Sequence, residues 1–390
     1  MRISVAGAGL GGLALAQGLR GAGIEADVYE RDPAITARFQ GYRLVLNQVG
    51  FDAVRGCLPP RWHPLLDAIV GDAYGERLVL DPLLNTIGEL GPGRTGTVVD
   101  RHVLRHLLLS GLTVHTGAAL TGYDVLADGK VGARFGHGDP VVTDLLVGAD
   151  GAGSAVRATL SPRTTPTDTG VRFVIGRTTL TERFAGLSKA FGSKIAGNGV
   201  SLLLGAMRFR TPPKEAAERL APEATLPDVR DYVRWAMILP PDGSLGASTP
   251  QEAALSRMDG WHPELRELVE QSDPDNSTLL SIRVVEPRER WAPGPVTLLG
   301  DAIHATSPTG GNGANTALRD ADLLRRSLIE ADEGRRSLLD AVGDYERQMF
   351  AYGAEAVRHS LDALPAYVPS GSGPQSPTGV PGQAVTSDKP

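Results

Sequence analysis

The chain has 390 residues, 41% of them hydrophobic and 22% charged, with a formal net charge of -6. That length can bury a large core and predicts two or three domains, and the composition excludes a disordered polymer. The mildly acidic balance leaves no basic footprint for nucleic acid, and no run of about 18 apolar residues exists to span a membrane. The single cysteine, Cys57, cannot form an internal disulfide, which fits a reducing cytoplasm; simple packing is its expected role. The N-terminus opens into a strand rather than a signal peptide.

Ile3-Ser4-Val5-Ala6 reads as a short buried parallel strand. Gly7-Ala8-Gly9-Leu10-Gly11-Gly12 follows at once, and residues 13–19 repeat apolar side chains at helical spacing. Residues 25–30 read as the next strand, ending on Glu30. In this strand–turn–helix setting Gly7 permits the tight turn and Gly9 lets the backbone approach a pyrophosphate. Gly12 lets helix and strand pack closely. The helix N-terminus offers free N–H groups and a positive dipole end to phosphates. Glu30, 18 residues beyond Gly12, stands where an acid meets a ribose hydroxyl. Such an acid suits the free 2′-hydroxyl of FAD or NAD and repels a 2′-phosphate. The competing reading is a glycine turn that only packs.

Residues 40–46 (Gln-Gly-Tyr-Arg-Leu-Val-Leu) are expected to pass beside a bound ligand. Residues 83–96 are glycine-rich and residues 211–227 proline- and glutamate-rich, so both are expected to be loops or insertions. Residues 143–147 read as another apolar strand, ending in Gly148-Ala149-Asp150-Gly151 before a helix from Ala155. A carboxylate and glycines at that end of a strand stand where open α/β sheets bind ligands; Asp150 as a plain turn cap is the equal alternative.

From about 165 to 285 the βαβ rhythm disappears. Residues 171–175, 199–204, 207–210 and 232–239 read as strands, with helices from Gln251 and Glu264. Arg172, Arg208, Arg210 and Arg234 alternate with apolar residues, as in an antiparallel sheet wet on one face. The apolar face would close over a ligand, with Met207, Phe209, Trp235 and Met237 as substrate-lining candidates against ordinary core packing. Residues 295–299 read as a third strand ending in Gly300-Asp301, with Asp301 placed to accept hydrogen bonds from a polyol such as ribityl. The loop 307–315 (Ser-Pro-Thr-Gly-Gly-Asn-Gly-Ala-Asn) opens a helix whose N–H groups can meet a carbonyl or an anion, such as the N1 and O2 edge of a reduced flavin. Residues 316–328 continue that helix, residues 337–364 read as one long helix, and the Pro/Gly/Ser-rich stretch from Pro365 is expected to be disordered.

In this order the three glycine motifs read as the site of one long cofactor, FAD, threaded through a single domain. On Gly7, Gly9, Gly12, Glu30, Asp150, Gly151, Gly300, Asp301, His304, Pro308, Gly311, Gly313, Asn315 and Asp320, and on Val99-Asp100-Arg101-His102-Val103-Leu104, the chain resembles the FAD-dependent aromatic hydroxylases. These are the group A flavoprotein monooxygenases of the para-hydroxybenzoate hydroxylase fold. The resemblance implies an α/β fold: a Rossmann-like FAD-binding domain with a parallel sheet, an antiparallel-sheet substrate domain and a long C-terminal helix. Residues 1–70, 97–165 and 286–330 would form the first, 71–96 and 166–285 the second, 331–364 the helical segment and 365–390 a tail. The implied cofactor set is Gly7, Gly9, Gly12, Glu30, Arg31, Arg101, Asp150, Gly151, Gly300, Asp301, Pro308, Gly311, Gly313 and Ala314.

NADPH or NADH is implied as a transiently docking reductant, without a second glycine fingerprint. The implied reaction inserts one oxygen atom of O₂ into an organic molecule, aromatic or polyketide-like, through a flavin C4a-hydroperoxide. No catalytic side chain is expected beyond Arg43, which could contact the flavin edge or substrate, against a structural ion pair, and His304 is expected to be structural. No metal, nucleic acid or membrane partner is implied. The alternatives are an FAD-dependent dehydrogenase without oxygen insertion and a flavin-binding partner without catalysis. A flavin halogenase is disfavoured: residues 235–240 (Trp-Ala-Met-Ile-Leu-Pro) only echo its Trp-x-Trp-x-Ile-Pro motif, and no lysine precedes Lys130.

Overall fold

Three strands that read as continuous apolar runs in the sequence lie next to one another in the protein. A computed structural model describes residues 1–368 except 36, 38–40, 74–76, 91–95, 137–138, 189–191, 240–248 and 274–276. In chain order the elements begin with β1 (Arg2–Ala6), α1 (Leu10–Gly21), β2 (Glu25–Tyr29), β3 (Arg43–Leu46), α2 (Gln48–Cys57) and α3 (His63–Ala68). Next come β4 (Gly71–Ala73), β5 (Arg77–Leu80), β6 (Thr86–Glu89), β7 (Gly96–Asp100) and α4 (Arg101–Leu109). Then follow β8 (Val114–His115), β9 (Leu120–Val125), β10 (Val131–Phe135), β11 (Val141–Thr143), β12 (Leu145–Gly148) and α5 (Ala155–Leu160). The middle of the chain holds β13 (Thr167–Thr179), β14 (Gly192–Gly197), β15 (Val200–Met207), α6 (Pro213–Leu220) and β16 (Tyr232–Leu239). The last elements are α7 (Pro250–Leu255), α8 (Pro263–Glu270), β17 (Thr278–Val284), β18 (Val296–Leu298), α9 (Asp301–His304), α10 (Gly313–Asp332) and α11 (Leu338–Ala363).

The parallel sheet has the order β18-β12-β1-β2-β8. Ile3, Val5, Leu145, Leu146, Val147 and Leu298 are fully buried, as expected for parallel strands covered on both faces. The register pairs Ala6 with Gly148 and Gly148 with Leu298, so β1, β12 and β18 end in one row. α1 and α10 pack against each other beside this sheet.

The second large sheet has the order β17-β13-β16-β15-β14-β5-β6 and is antiparallel except where β14 runs parallel to β5. Period-2 alternation splits its residues between two cores. Val233, Trp235, Met237 and Leu239 pack with Leu202, Leu204, Met258, Trp261 and Leu265, on the side of α7 and α8. Tyr232, Ala236 and Ile238 face the main core with Phe173, Ile175 and Met207. Arg234 belongs to the face of Tyr232 and Ala236, so it does not lie on a wet surface as its alternation implied.

Several local expectations are corrected. The segment 83–96 supplies β6, which pairs with β5 as the exposed edge of the sheet; residues 91–95 of it lie outside the described residues. Within 211–227, α6 forms because Pro213 sits in its first turn and Ala216 and Ala217 bury on one side, next to α3. The strand expected at 207–210 is absent; Met207 is the last residue of β15. The chain also stays ordered past Pro365: Lys194 Nζ donates to Ala366 O at 2.6 Å, Arg77 bonds the Tyr367 hydroxyl, and Val368 is buried. Residues 369–390 of the expected disordered tail, and Gln40, lie outside the described residues. α11 therefore runs from the parallel sheet to the antiparallel one. No helix among the described residues is long and apolar enough to cross a membrane.

Candidate functional site

Because β1, β12 and β18 end in register, their glycine segments leave the sheet together and interlock. A Cβ on Gly7, whose φ is +111°, would lie 2.3 Å from Ala149 O. One on Gly12 would lie 2.2 Å from Gly7 O, and one on Gly11 2.8 Å from Leu299 Cδ1. These glycines are required for chain to pack on chain. Gly9 differs: a Cβ there would meet no protein atom within 4 Å, so its backbone borders open space.

Two helices begin at this point without a cap. α1 and α10 have no side-chain capping bond and no acid in their first turn. By contrast α2, α4, α5 and α11 are capped by Asn47, Asp100, Ser154 and Ser337. Uncapped N-termini present unsatisfied N–H groups and the positive end of the helix dipole, and they converge on one region.

Glu30 is 5% exposed and holds the first turn in place. Its Oε2 accepts from Ala8 N at 2.9 Å and its Oε1 from Asp32 N at 3.0 Å. Each oxygen keeps a further lone pair for a ligand hydroxyl. Arg105, which the sequence reading missed, is 3% exposed, donates from Nε to Ala8 O at 2.8 Å and lies 3.7 Å from Glu30. Its signal was an arginine among the buried positions Val103, Leu104, Leu107 and Leu108 of α4. Arg31 is exposed and 3.9 Å from Asp32. Arg101 begins α4, its amide donating to Tyr42 O at 2.6 Å, and its Cδ stands 3.9 Å from where a Cβ on Gly41 would be.

Asp150 acts as the turn cap of the alternative reading. Its Oδ2 accepts from Ala155 N at 2.7 Å, while Oδ1 is enclosed without a partner, and burial holds the carboxyl above its ordinary value. Gly151, with φ +78°, borders open space. Asp301 is exposed, and its Oδ1 lies 3.8 Å from where a Cβ on Gly313 would be, so a free acceptor and the α10 N-terminus share one site.

The loop between them is fixed from behind. Asp320, fully buried, accepts from Gly300 N at 2.7 Å and Tyr352 Oη at 2.6 Å, and meets His304 Nε2 at 2.7 Å. Burial would lower the His304 pKa, but the Asp320 carboxylate outweighs it and the net shift is upward. His304 is thus a structural partner of Asp320, as expected. Asn315 Oδ1 accepts from Asn47 N at 2.9 Å, and its Nδ2 donates to Val45 O at 2.9 Å and Gly311 O at 3.0 Å. Gly310 lies against Ser360, whose hydroxyl accepts from Ser307 N at 3.1 Å. Pro308 is exposed, Gly311 has φ +63°, and Ala314 is half-buried in the first turn of α10. Tyr352 and Ser360 lie on α11, more than 30 residues from the motif they support, with no local pattern to announce them.

Beyond β3 the site meets the antiparallel sheet. Tyr232 Oη donates to Asp100 at 2.7 Å, and the Arg177 guanidinium lies 5.0 Å from the Tyr42 ring centroid and 5.5 Å from that of Tyr232. Arg43 packs over Gly205, 3.0 Å from where a Cβ there would be. Of the proposed substrate-lining set, Trp235 and Met237 are fully buried on the opposite face against α7 and α8, which removes them from this region. Met207 is fully buried in the main core, and Phe209 packs at its edge. The arrangement can hold a diphosphate at the N-terminus of α1, a polyol at Asp301 and an electron-rich carbonyl edge at the N-terminus of α10.

The model of one family, described as an FAD binding domain, matches residues 97–360. The chain is 33% identical over 395 residues to a dual O-methyltransferase/FAD-dependent monooxygenase of Cercospora beticola, covering 89% of this chain and 44% of that one. It thus spans less than half the length of that relative. An aurachin C monooxygenase/isomerase of Stigmatella aurantiaca is 27% identical over 344 residues, covering 85% of this chain and 82% of that one. A crystal structure from Photorhabdus luminescens subsp. laumondii, described as an FAD-containing monooxygenase, superposes with a TM-score of 0.78 at 32% identity, covering 94% of this chain and 98% of that one.

Proposed function

We propose, from the premise that this chain belongs to the FAD binding domain family and has FAD as its cofactor, that it inserts one oxygen atom of O₂ into an organic small molecule. The balance is that of a monooxygenase: NAD(P)H, O₂, substrate and a proton give NAD(P)⁺, oxygenated substrate and water. The observation that carries the reading is the convergence of two uncapped helix N-termini on a glycine cradle in which a Cβ on Gly9, at the start of α1, would meet no protein atom within 4 Å. Bound FAD would supply the electron transfer and the activation of O₂.

The chain's own residues would bind and orient. The amides at the start of α1 would take the pyrophosphate, with Gly9 permitting contact and Glu30 steadying the turn and meeting the ribose. Asp301 would accept from the ribityl hydroxyls. The amides at the start of α10 would favour negative charge at the flavin edge. Gly151, Arg31 and Arg101 border the same path, with Pro308, Gly311 and Ala314 forming the ring-side loop. The parallel-sheet part would carry the cofactor, and the antiparallel sheet would wall off the substrate and exclude water.

The test is purification followed by flavin analysis, NAD(P)H oxidation and product analysis under isotopically labelled O₂. Stoichiometric FAD and label in a product are expected. FAD-bound protein that consumes NAD(P)H and oxidises or reduces a substrate without taking up label would replace this reading with a dehydrogenase.

A further inference from the structure

Asparagine is among the best residues at a helix N-cap, where its side-chain oxygen takes up an amide of the first turn. Among the described residues two asparagines stand immediately before a helix, and they behave oppositely. Asn47, before α2, has φ -74° and ψ 176°, and its Oδ1 accepts from Gly50 N at 2.9 Å. Asn312, before α10, has φ -100° and ψ -23° and makes no capping bond.

The side chain of Asn312 is drawn to another helix. Its Nδ2 donates to His359 Nδ1 on α11 at 3.0 Å. The neighbouring Ser360 brings α11 against the same loop: a Cβ on Gly310 would lie 2.8 Å from Ser360 Cα, and the Ser360 hydroxyl accepts from Ser307 N at 3.1 Å. His359 is itself exposed, so packing does not account for its orientation; its side-chain hydrogen bond among the described residues is the one to Asn312. Held this way, Asn312 has helical backbone, and its carbonyl accepts from Thr316 N at 2.8 Å and Thr316 Oγ1 at 2.9 Å. The first turn of α10 is thereby formed while its amides stay uncapped beside Asp301. An asparagine released from His359 would favour the arrangement Asn47 adopts, with extended backbone and Oδ1 on the amide of Ala314 or Asn315. A cap and a neutral hydrogen bond each shift an equilibrium by roughly fivefold, so one partner on α11 is enough to decide between the two arrangements.

We propose that His359 is a positioning residue for the cofactor: by holding the Asn312 side chain on α11, it keeps Asn312 from capping α10 and so keeps the first-turn amides free for the flavin edge. This deepens the FAD reading and rests on it. His359 acts through Asn312, at a separation of 47 residues along the chain.

The test titrates apoproteins with FAD by calorimetry, follows their unfolding in urea, and measures the flavin midpoint potential of the loaded proteins. Apparent affinity falls with the fraction of protein in the competent state, so His359→Leu should bind FAD roughly five- to tenfold more weakly. Its apoprotein should unfold at a urea concentration no lower than wild type, because a cap replaces the lost bond. His359→Asn, whose Oδ1 stands where the imidazole Nδ1 stands and can accept from Asn312, should bind FAD within about twofold of wild type. Asn312→Ala keeps every backbone amide and cannot cap, so it too should bind within about twofold, and added to His359→Leu it should restore that affinity. The midpoint potential should move to more negative values in His359→Leu and return in the double variant, because amides at the ring edge favour the reduced, negative flavin. Wild-type affinity in His359→Leu, or an equal loss with and without Asn312→Ala, overturns the proposal. So does a loss of affinity accompanied by a lowered apoprotein midpoint in urea. A wild-type protein that does not take up FAD at all overturns instead the cofactor reading beneath it.

Discussion

Gly9→Val separates a glycine that serves the ligand from glycines that serve the fold. Gly9 has φ -77° and ψ 178°, an extended conformation open to any residue, and a Cβ there meets nothing within 4 Å. The apoprotein should therefore fold, losing about 1 kcal/mol at most for a poorer residue at the start of α1. The new side chain would occupy the space where a pyrophosphate approaches the free amides of the helix. Charge-assisted hydrogen bonds contribute about 1.5–3 kcal/mol each, so pushing the phosphates off two amides weakens FAD by roughly 10²- to 10⁴-fold. Gly7→Val is the contrast: at φ +111°, with a Cβ 2.3 Å from Ala149 O, it should fail to fold stably. The assays are circular dichroism and urea unfolding of the apoproteins, then calorimetric titration with FAD. Full FAD retention by Gly9→Val, or its failure to fold, would refute the assignment of that open space to the cofactor.

Asp301→Ala should leave apoprotein stability within about 0.5 kcal/mol, because the carboxylate is exposed, and weaken FAD about 10- to 100-fold; an unchanged dissociation constant removes its polyol role. Asp320→Asn should cost about 3–5 kcal/mol, because it breaks the buried pair with His304 at 2.7 Å. The raised His304 pKa means the pair's contribution is complete below 6.5 and fades as pH rises through the higher folded value; an unfolding profile above about pH 6.5 as steep in Asp320→Asn as in wild type would count against this. Glu346, 4% exposed, accepts from Trp291 at 2.7 Å and Thr297 at 2.8 Å, and burial pushes its carboxyl from 4.5 up to about 7. The native state then holds a proton that the unfolded chain has lost, so stability should fall by about 3 kcal/mol as pH rises across that window. In Glu346→Gln this part of the fall should vanish; equal falls in both proteins between about pH 4.5 and 7, measured by urea unfolding, argue against the buried acid. Trp235→Phe should lower stability without altering any ligand-induced flavin spectrum, and a ligand-specific change would return Trp235 to the substrate wall.

Much of the cradle was legible because its chemistry is local. Gly7, Gly9 and Gly12 follow an apolar strand and precede a helix, and the conformations they permit are set within a few residues. The same holds for Gly300-Asp301 and the loop into α10. Asp150 was legible as ligand group or cap, and its Oδ2 takes the amide of Ala155, only five residues on, while its Oδ1 keeps no protein hydrogen bond. Arg105, Tyr352 and Ser360 act on these motifs from α4 and α11, at sequence separations that carry no periodic signal.

The antiparallel sheet shows the limit most plainly. Alternation fixed that residues 232–239 form a strand and that even and odd positions face apart, but a period of two does not say which face meets which layer. Trp235 and Met237, offered as pocket lining against core packing, went to the core beneath α7 and α8, while Arg234, expected in water, turned inward toward Arg43. The sequence by itself determined the strand-end glycines, the helices they open and the cofactor they suit, because those depend on backbone sterics and helix ends. Only the tertiary structure decided which side chains lie beside them, because that depends on packing between segments more than 150 residues apart, as where Arg43 of β3 lies over Gly205 of β15.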